Sequence, residues 1–174
     1  ALPILQAATS FGGVEVPVGA ESLNIHKRRI DYAALFGVEM YGLVGGGRLR
    51  QRPPNMEEYK NLANACEELA KYGASKGIGL AYHPHVGCTI ETEEEIDILL
   101  NETKKTQLCL DASHIGLVGE DPVAHIRKYR ERTGEIYVMR YSPRHRWYYF
   151  PRMEAHQALL LKTYDSETDD RADR

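Results

Sequence analysis

"LAYHPHVG", Leu80–Gly87, is an apolar segment that ends by presenting His83 and His85 on either side of Pro84. One histidine on an apolar segment is ordinarily a packed or solvated residue. Two in three positions, with the backbone between them set by a proline, point to a site at the end of a strand. The residues upstream read as a helix leading into that strand. Pro53 and Pro54 interrupt any earlier element, Asn55 can cap, and Glu58 follows in the capping-box position. Leu62, Cys66, Leu69, Ala70 and Gly73 share one helical face, and Gly77 can end the helix before "IGLAYH", Ile78–His83.

The same unit recurs along the chain. "VEMYGLVGGG", Val38–Gly47, is a strand closed by a glycine turn, preceded by a helix over Ile25–Gly37. "ALPILQAAT" at the start of the chain reads as a strand or its remnant. Thr92, with Glu95 three residues later, opens a helix that buries Ile96, Leu99 and Leu100. "QLCLD", Gln107–Asp111, is the next strand. Asp121-Pro122 starts another helix, with Val123, Ile126 and Tyr129 expected to point inward. "EIYVM", Glu135–Met139, is a further strand. From Arg140 the rhythm stops in an arginine- and tyrosine-rich tail, with a short helix expected over 151–164 and a solvated end.

Strand–helix alternation implies a parallel sheet, either doubly wound or part of a barrel. The polar residues favour the barrel. His83, Asp111 and the residue after Met139 fall at C-terminal strand ends, where barrel enzymes build their sites. "GGG", Gly45–Gly47, is not a dinucleotide fingerprint, and no acidic residue stands at the expected ribose position. The expected fold is α/β, a partial (β/α)8 TIM barrel of about five βα units, over residues 1–139, with residues 140–174 a divergent tail.

The 174 residues suffice for one domain with a sizeable core, and a net charge of −3 supplies no basic field for phosphate backbones. That balance also disfavours a DNA-repair endonuclease, so no nucleic-acid partner is expected. No apolar run approaches the ~20 residues of a membrane span, and no signal-peptide pattern is present. Cys66, Cys88 and Cys109 are odd in number and widely spaced, which favours reduced thiols in a cytoplasm. Cys88 lacks any sign of a base and reads as incidental.

"LAYHPHVG" together with "LCLDASHIG" resembles the xylose-isomerase-like TIM barrels, the sugar phosphate isomerase/epimerase group, and within it the inosose dehydratases. "LVGGGR", "RPPNMEEYKNLANACEELA", "ETEEEIDILL" and "GEDPVAHIRKYRERTGEIYV" extend the likeness over about Ile25–Met139. The resemblance implies a divalent metal, Mn²⁺ or Co²⁺ with Mg²⁺ or Zn²⁺ as alternatives. It also implies isomerisation, epimerisation or dehydration of a small sugar, polyol or inosose. In these terms Asp111 is a metal ligand. His83 stands where many relatives carry a ligating glutamate, and is either a ligand or a group that hydrogen-bonds substrate. His114, in D-x-x-H, contacts substrate or a second metal. His85 orients a ligand from behind or acts on substrate, and Glu91 is a candidate base or an ordinary residue before the Thr92 cap.

The chain departs from the group at Arg140, which stands where relatives carry the histidine of an "H-x-K-D" strand. A guanidinium has no lone pair to give. With no counterpart of the first two and the eighth strand units, the resemblance implies a truncated barrel with impaired catalysis. The alternative is a non-catalytic barrel fragment. Either would expose strand edges, through which copies of the chain could self-associate or bind a partner.

Overall fold

The computed structural model describes residues 6–8, 18–48 and 52–137, all within the compact unit Pro3–Met139. The expected strand end at Met139, the substitution at Arg140, the helix over 151–164 and the 140–174 tail lie outside the described residues. Five strands alternate with helices: β1 (Gln6–Ala8), α1 (Ala20–Ala34), β2 (Met40–Val44), α2 (Met56–Ala74), β3 (Gly79–His83), α3 (Glu93–Glu102), β4 (Gln107–Asp111), α4 (Ala112–Leu117), α5 (Pro122–Tyr129) and β5 (Thr133–Tyr137). The sheet order is β1-β2-β3-β4-β5, and every pairing is parallel. A doubly wound sheet reverses its strand order at a switch point. Here the order follows the chain without reversal, which is the winding of a barrel wall.

Local chemistry explains the element ends. The Asn55 side chain accepts from the Glu58 N–H at 2.9 Å, and Glu58 Oε2 accepts from the Asn55 N–H at 2.8 Å, the reciprocal box expected at the start of α2. Gly37 and Gly77 end α1 and α2 with φ of +67° and +77°, which an L side chain adopts only at a cost. Asp121 caps α5 through the Val123 N–H at 2.9 Å, with Pro122 at its first position.

Three readings of the sequence shift. α1 begins five residues before the expected Ile25, and β5 begins two residues before Glu135. Past the expected strand end, Ala112–Leu117 forms α4, because Asp111 caps it. In α5 buried His125 and Tyr129, one turn apart, face inward with half-buried Ile126, and the departure is at Val123. Val123 is 52% exposed, whereas His125 is 1% exposed. His125 faces Glu120 (Nε2 to Oε2, 2.9 Å) and Glu93 (Nε2 to Oε2, 3.3 Å), so carboxylates from α3 and the preceding loop select it for the inside.

The core runs between sheet and helices. Leu62, Cys66, Leu69, Ala70 and Gly73 of α2 are buried with Tyr41, Leu43, Leu80, Tyr82, Ile96, Leu99, Leu108 and Leu110. α2 packs against β3 and lies between α1 and α3. α1 is tied to β2 by buried His26, whose Nδ1 lies 2.8 Å from the Tyr41 hydroxyl. Burial, with Arg29 adding to it, holds His26 down to about 4. The unfolded chain therefore binds more protons between the two values, so stability is full above the ordinary histidine range. It falls as pH drops from ~6.5 toward ~4, by about 3 kcal/mol at most. His26→Gln, which cannot titrate, is expected to be the less acid-sensitive protein when urea unfolding at about pH 7 and about pH 4.5 is compared. Equal acid sensitivity in the two proteins would remove His26 from the account.

Candidate functional site

β3 and β4 are neighbours, each with three buried residues between half-buried ends. Their last residues are His83 and Asp111, so the parallel register delivers both to the same rim of the sheet. The imidazole of His83 turns across to β4, with Nδ1 3.1 Å from the Cys109 carbonyl. A carbonyl only accepts, so Nδ1 carries the proton and Nε2 the lone pair. His85, beyond buried Pro84, repeats the arrangement with Nδ1 2.7 Å from the Val86 carbonyl. When the ring is neutral, its lone pair is likewise on Nε2.

His114 arrives by a different route. Asp111 Oδ1 accepts from the Ser113 N–H at 2.7 Å and from the Ser113 hydroxyl, and this cap starts α4 directly at the strand end. One helical turn then returns His114 over Asp111, with Nε2 3.9 Å from Oδ2. The physical content of D-x-x-H is thus a capping carboxylate and an imidazole on one helical turn.

The three histidines meet. Ring centroids of His85 and His114 are 3.7 Å apart, those of His83 and His114 5.3 Å, and those of His83 and His85 5.6 Å. One ligand atom from each lies within 4.8 Å of the other two. His114 Nδ1 is buried with no hydrogen-bond partner among the described residues. Burial holds His83 below the ordinary imidazole value, and nearby His114 and His85 add to this against the Cys109 carbonyl and Asp111. Burial also lowers His114, with His85 adding to it and Asp111 opposing. Asp111 is lowered despite its burial, because Ser113 and His114 stabilise the carboxylate. Three imidazoles beside a carboxylate, with His83 and His114 shifted toward the neutral form by burial and one buried ring nitrogen unpaired, form a donor set that fits a divalent transition metal.

Glu91 is placed elsewhere. Its Oε2 accepts from the Gly87 N–H at 2.7 Å, and its Oε1 lies 3.4 Å from Arg48 Nε. It braces the loop and is not one of the three clustered residues. Cys88 is half-buried, and burial and Glu91 push its thiol up, away from nucleophilic character. The partner missed in the sequence is Glu95. Beyond its capping-box contact with the Thr92 N–H, it is buried and holds Arg48 Nη2 at 2.7 Å and the Tyr59 hydroxyl at 2.7 Å. Arg48 sits 47 residues away in the chain, so no local spacing signalled the pair.

Comparisons with known proteins bear on this rim. An inosose dehydratase from Clostridium botulinum is 35% identical over 91 residues, 51% of this chain and 30% of the relative. The chain thus matches about a third of the length of such relatives. The probable 3-DHS dehydratase AsbF from Bacillus anthracis superposes with a TM-score of 0.64 at 16% identity, over 75% of this chain and 47% of that one. The IOLI protein, solved with a bound zinc atom, superposes with a TM-score of 0.54 at 19% identity, over 67% of this chain and 44% of that one. A family model described as an oxidoreductase/YMDC permease-like domain matches residues 108–174, of which 138–174 lie outside the described residues. No described helix is long and apolar enough to cross a membrane. Strand order and relatives agree: the chain carries part of a barrel of the kind these solved structures show, and over about half its length its sequence is similar to those of inosose dehydratases.

Proposed function

We propose that the chain carries the metal-binding part of a sugar-converting enzyme of the dehydratase or epimerase kind, acting on an inosose or similar keto-polyol. The observation that carries this reading is the convergence of His83, His85 and His114 at the C-terminal rim of β3 and β4. His83, His85 and His114 would hold the ion, and Asp111 would add an oxygen donor through Oδ2. The set is rich in imidazole, which suits Zn²⁺ or Co²⁺ better than Mg²⁺ or Mn²⁺. When bound, such an ion supplies a Lewis acid that polarises hydroxyl and carbonyl oxygens.

The residues present do the positioning. The Cys109 and Val86 carbonyls fix the His83 and His85 tautomers, so each ring presents Nε2 without a prior proton shift. Ser113 orients Asp111 through Oδ1 and leaves Oδ2 on the side of His114. Glu91 holds the loop in this reading and no longer serves as the base. The division near residue 139 is part of the same proposal, with the described unit as the metal-binding piece and 140–174 as a separate segment of unassigned role.

Two measurements test the proposal. Titration of the full chain with Co²⁺ should give the visible absorption of a bound ion with nitrogen ligands, with one ion per chain by calorimetry. Loss of water from 2-keto-myo-inositol, or its epimerisation, should depend on that ion. Absence of Co²⁺ binding would overturn the site. Binding with no conversion of any keto-polyol would overturn the activity and leave a metal-binding barrel.

A further inference from the structure

We propose that Arg48 is a positioning residue that clamps the loop bearing His85, and so brings the third imidazole to the other two. The proposal rests on reading the three histidines as a metal site. His83 sits in a strand and His114 in a helix, so the sheet and a capped turn place them. His85 lies in the connection between β3 and α3, where its N–H donates to the Ile90 carbonyl at 3.2 Å and its carbonyl accepts from the Cys88 N–H at 3.0 Å; these bonds shape the loop, and contacts to other segments decide where the loop as a whole stands.

Those contacts converge on Arg48. Its backbone N–H donates to the Gly87 carbonyl at 2.7 Å, beside a bridge between Gly47 and Cys88. Its guanidinium lies 3.5 Å from the Cys88 carbonyl, reaches Glu91 at 3.4 Å and pairs with Glu95 at 2.7 Å. Glu91 in turn accepts from the Gly87 N–H. The Thr89 N–H and hydroxyl both reach the Gly46 carbonyl, at 2.9 and 3.1 Å. Arg48 therefore spans the loop from Gly87 to Glu91 and anchors it to buried Glu95 of α3, which the Tyr59 hydroxyl of α2 steadies. A planar guanidinium with several donors in fixed directions serves such a clamp better than an ammonium.

Amide exchange in the metal-free full chain tests the clamp without any assumption about metal. Arg48→Met should speed exchange at His85, Gly87 and Cys88 by about 10-fold or more, while the Leu62 amide in α2 stays protected. Arg48→Lys should recover part of the protection. If Arg48→Met does not fold, Glu91→Ala, which removes the Gly87 anchor and one guanidinium contact but leaves the Arg48–Glu95 pair, should loosen the same three amides. Co²⁺ affinity then gives a thermodynamic cycle: a loss of about 10-fold in Arg48→Met should disappear when His85 is already alanine. Unchanged exchange at the three amides, or losses that simply add in the double variant, would overturn the role of Arg48. A parent chain that binds no Co²⁺ would remove the metal reading, and the exchange result would still decide the clamp.

Discussion

Replacing His114 with alanine is expected to lower Co²⁺ or Zn²⁺ affinity of the full chain by about 100-fold or more. Loss of an outer partner of a metal ligand commonly costs ~10–100-fold, and loss of the ligand itself should reach at least the upper end. Binding also requires neutral imidazoles, so protons compete with the ion. Burial holds His83 and His114 below the ordinary histidine value, so affinity should persist to lower pH than for an exposed histidine cluster and fall on further acidification. Asp111→Asn should cost less than His114→Ala, because an amide oxygen can still donate although the charge is lost. Calorimetry on the three proteins across pH checks all of this. Affinity unchanged in His114→Ala would mean that the three rings meet for packing alone.

Gly45→Ala is expected to destabilise the chain by about 3 kcal/mol, near the upper range for overpacking a filled core. A Cβ at Gly45 would collide with the hydroxyl of Tyr82 and approach its ring to 2.9 Å. Tyr82 is buried in β3, directly before His83, and cannot swing into solvent. The demand at Gly45 is for space, since its φ is not positive. Tyr82→Phe in the same background should restore part of the loss by removing the colliding oxygen. Urea unfolding measures both. A cost below ~1 kcal/mol for Gly45→Ala would show that the strand end yields easily, and the packing account of Gly45 would fail.

The strand–helix alternation was legible because it rests on local chemistry. Asn55 with Glu58, Gly77, and Asp121 with Pro122 mark helix ends through hydrogen bonds within a few residues, and each does in the structure what its spacing implies. The strand ends at His83 and Asp111 were legible for the same reason, since apolar runs stop where polar residues begin. Val123 was misread because periodicity weighs hydrophobicity alone. It cannot see that Glu93 and Glu120, from separate segments, make the interior acceptable to His125.

By itself the sequence determined a parallel strand–helix repeat, the rim on which His83 and Asp111 stand, and the turn that joins Asp111 to His114. Each depends on interactions across a few residues, where backbone geometry permits little choice. Only the tertiary structure decided that the strands lie in unreversed order, that His85 joins the other two rings, and that Glu91 braces the loop. The contacts around Glu91 and its loop bring in Arg48, Glu95 and the glycine turn after β2, groups far apart in the chain that meet because the sheet sets β2 beside β3. Spacing along the chain carries no information about such meetings, because their geometry is set by strand pairing and by the loss of water around a buried carboxylate that must find its cation.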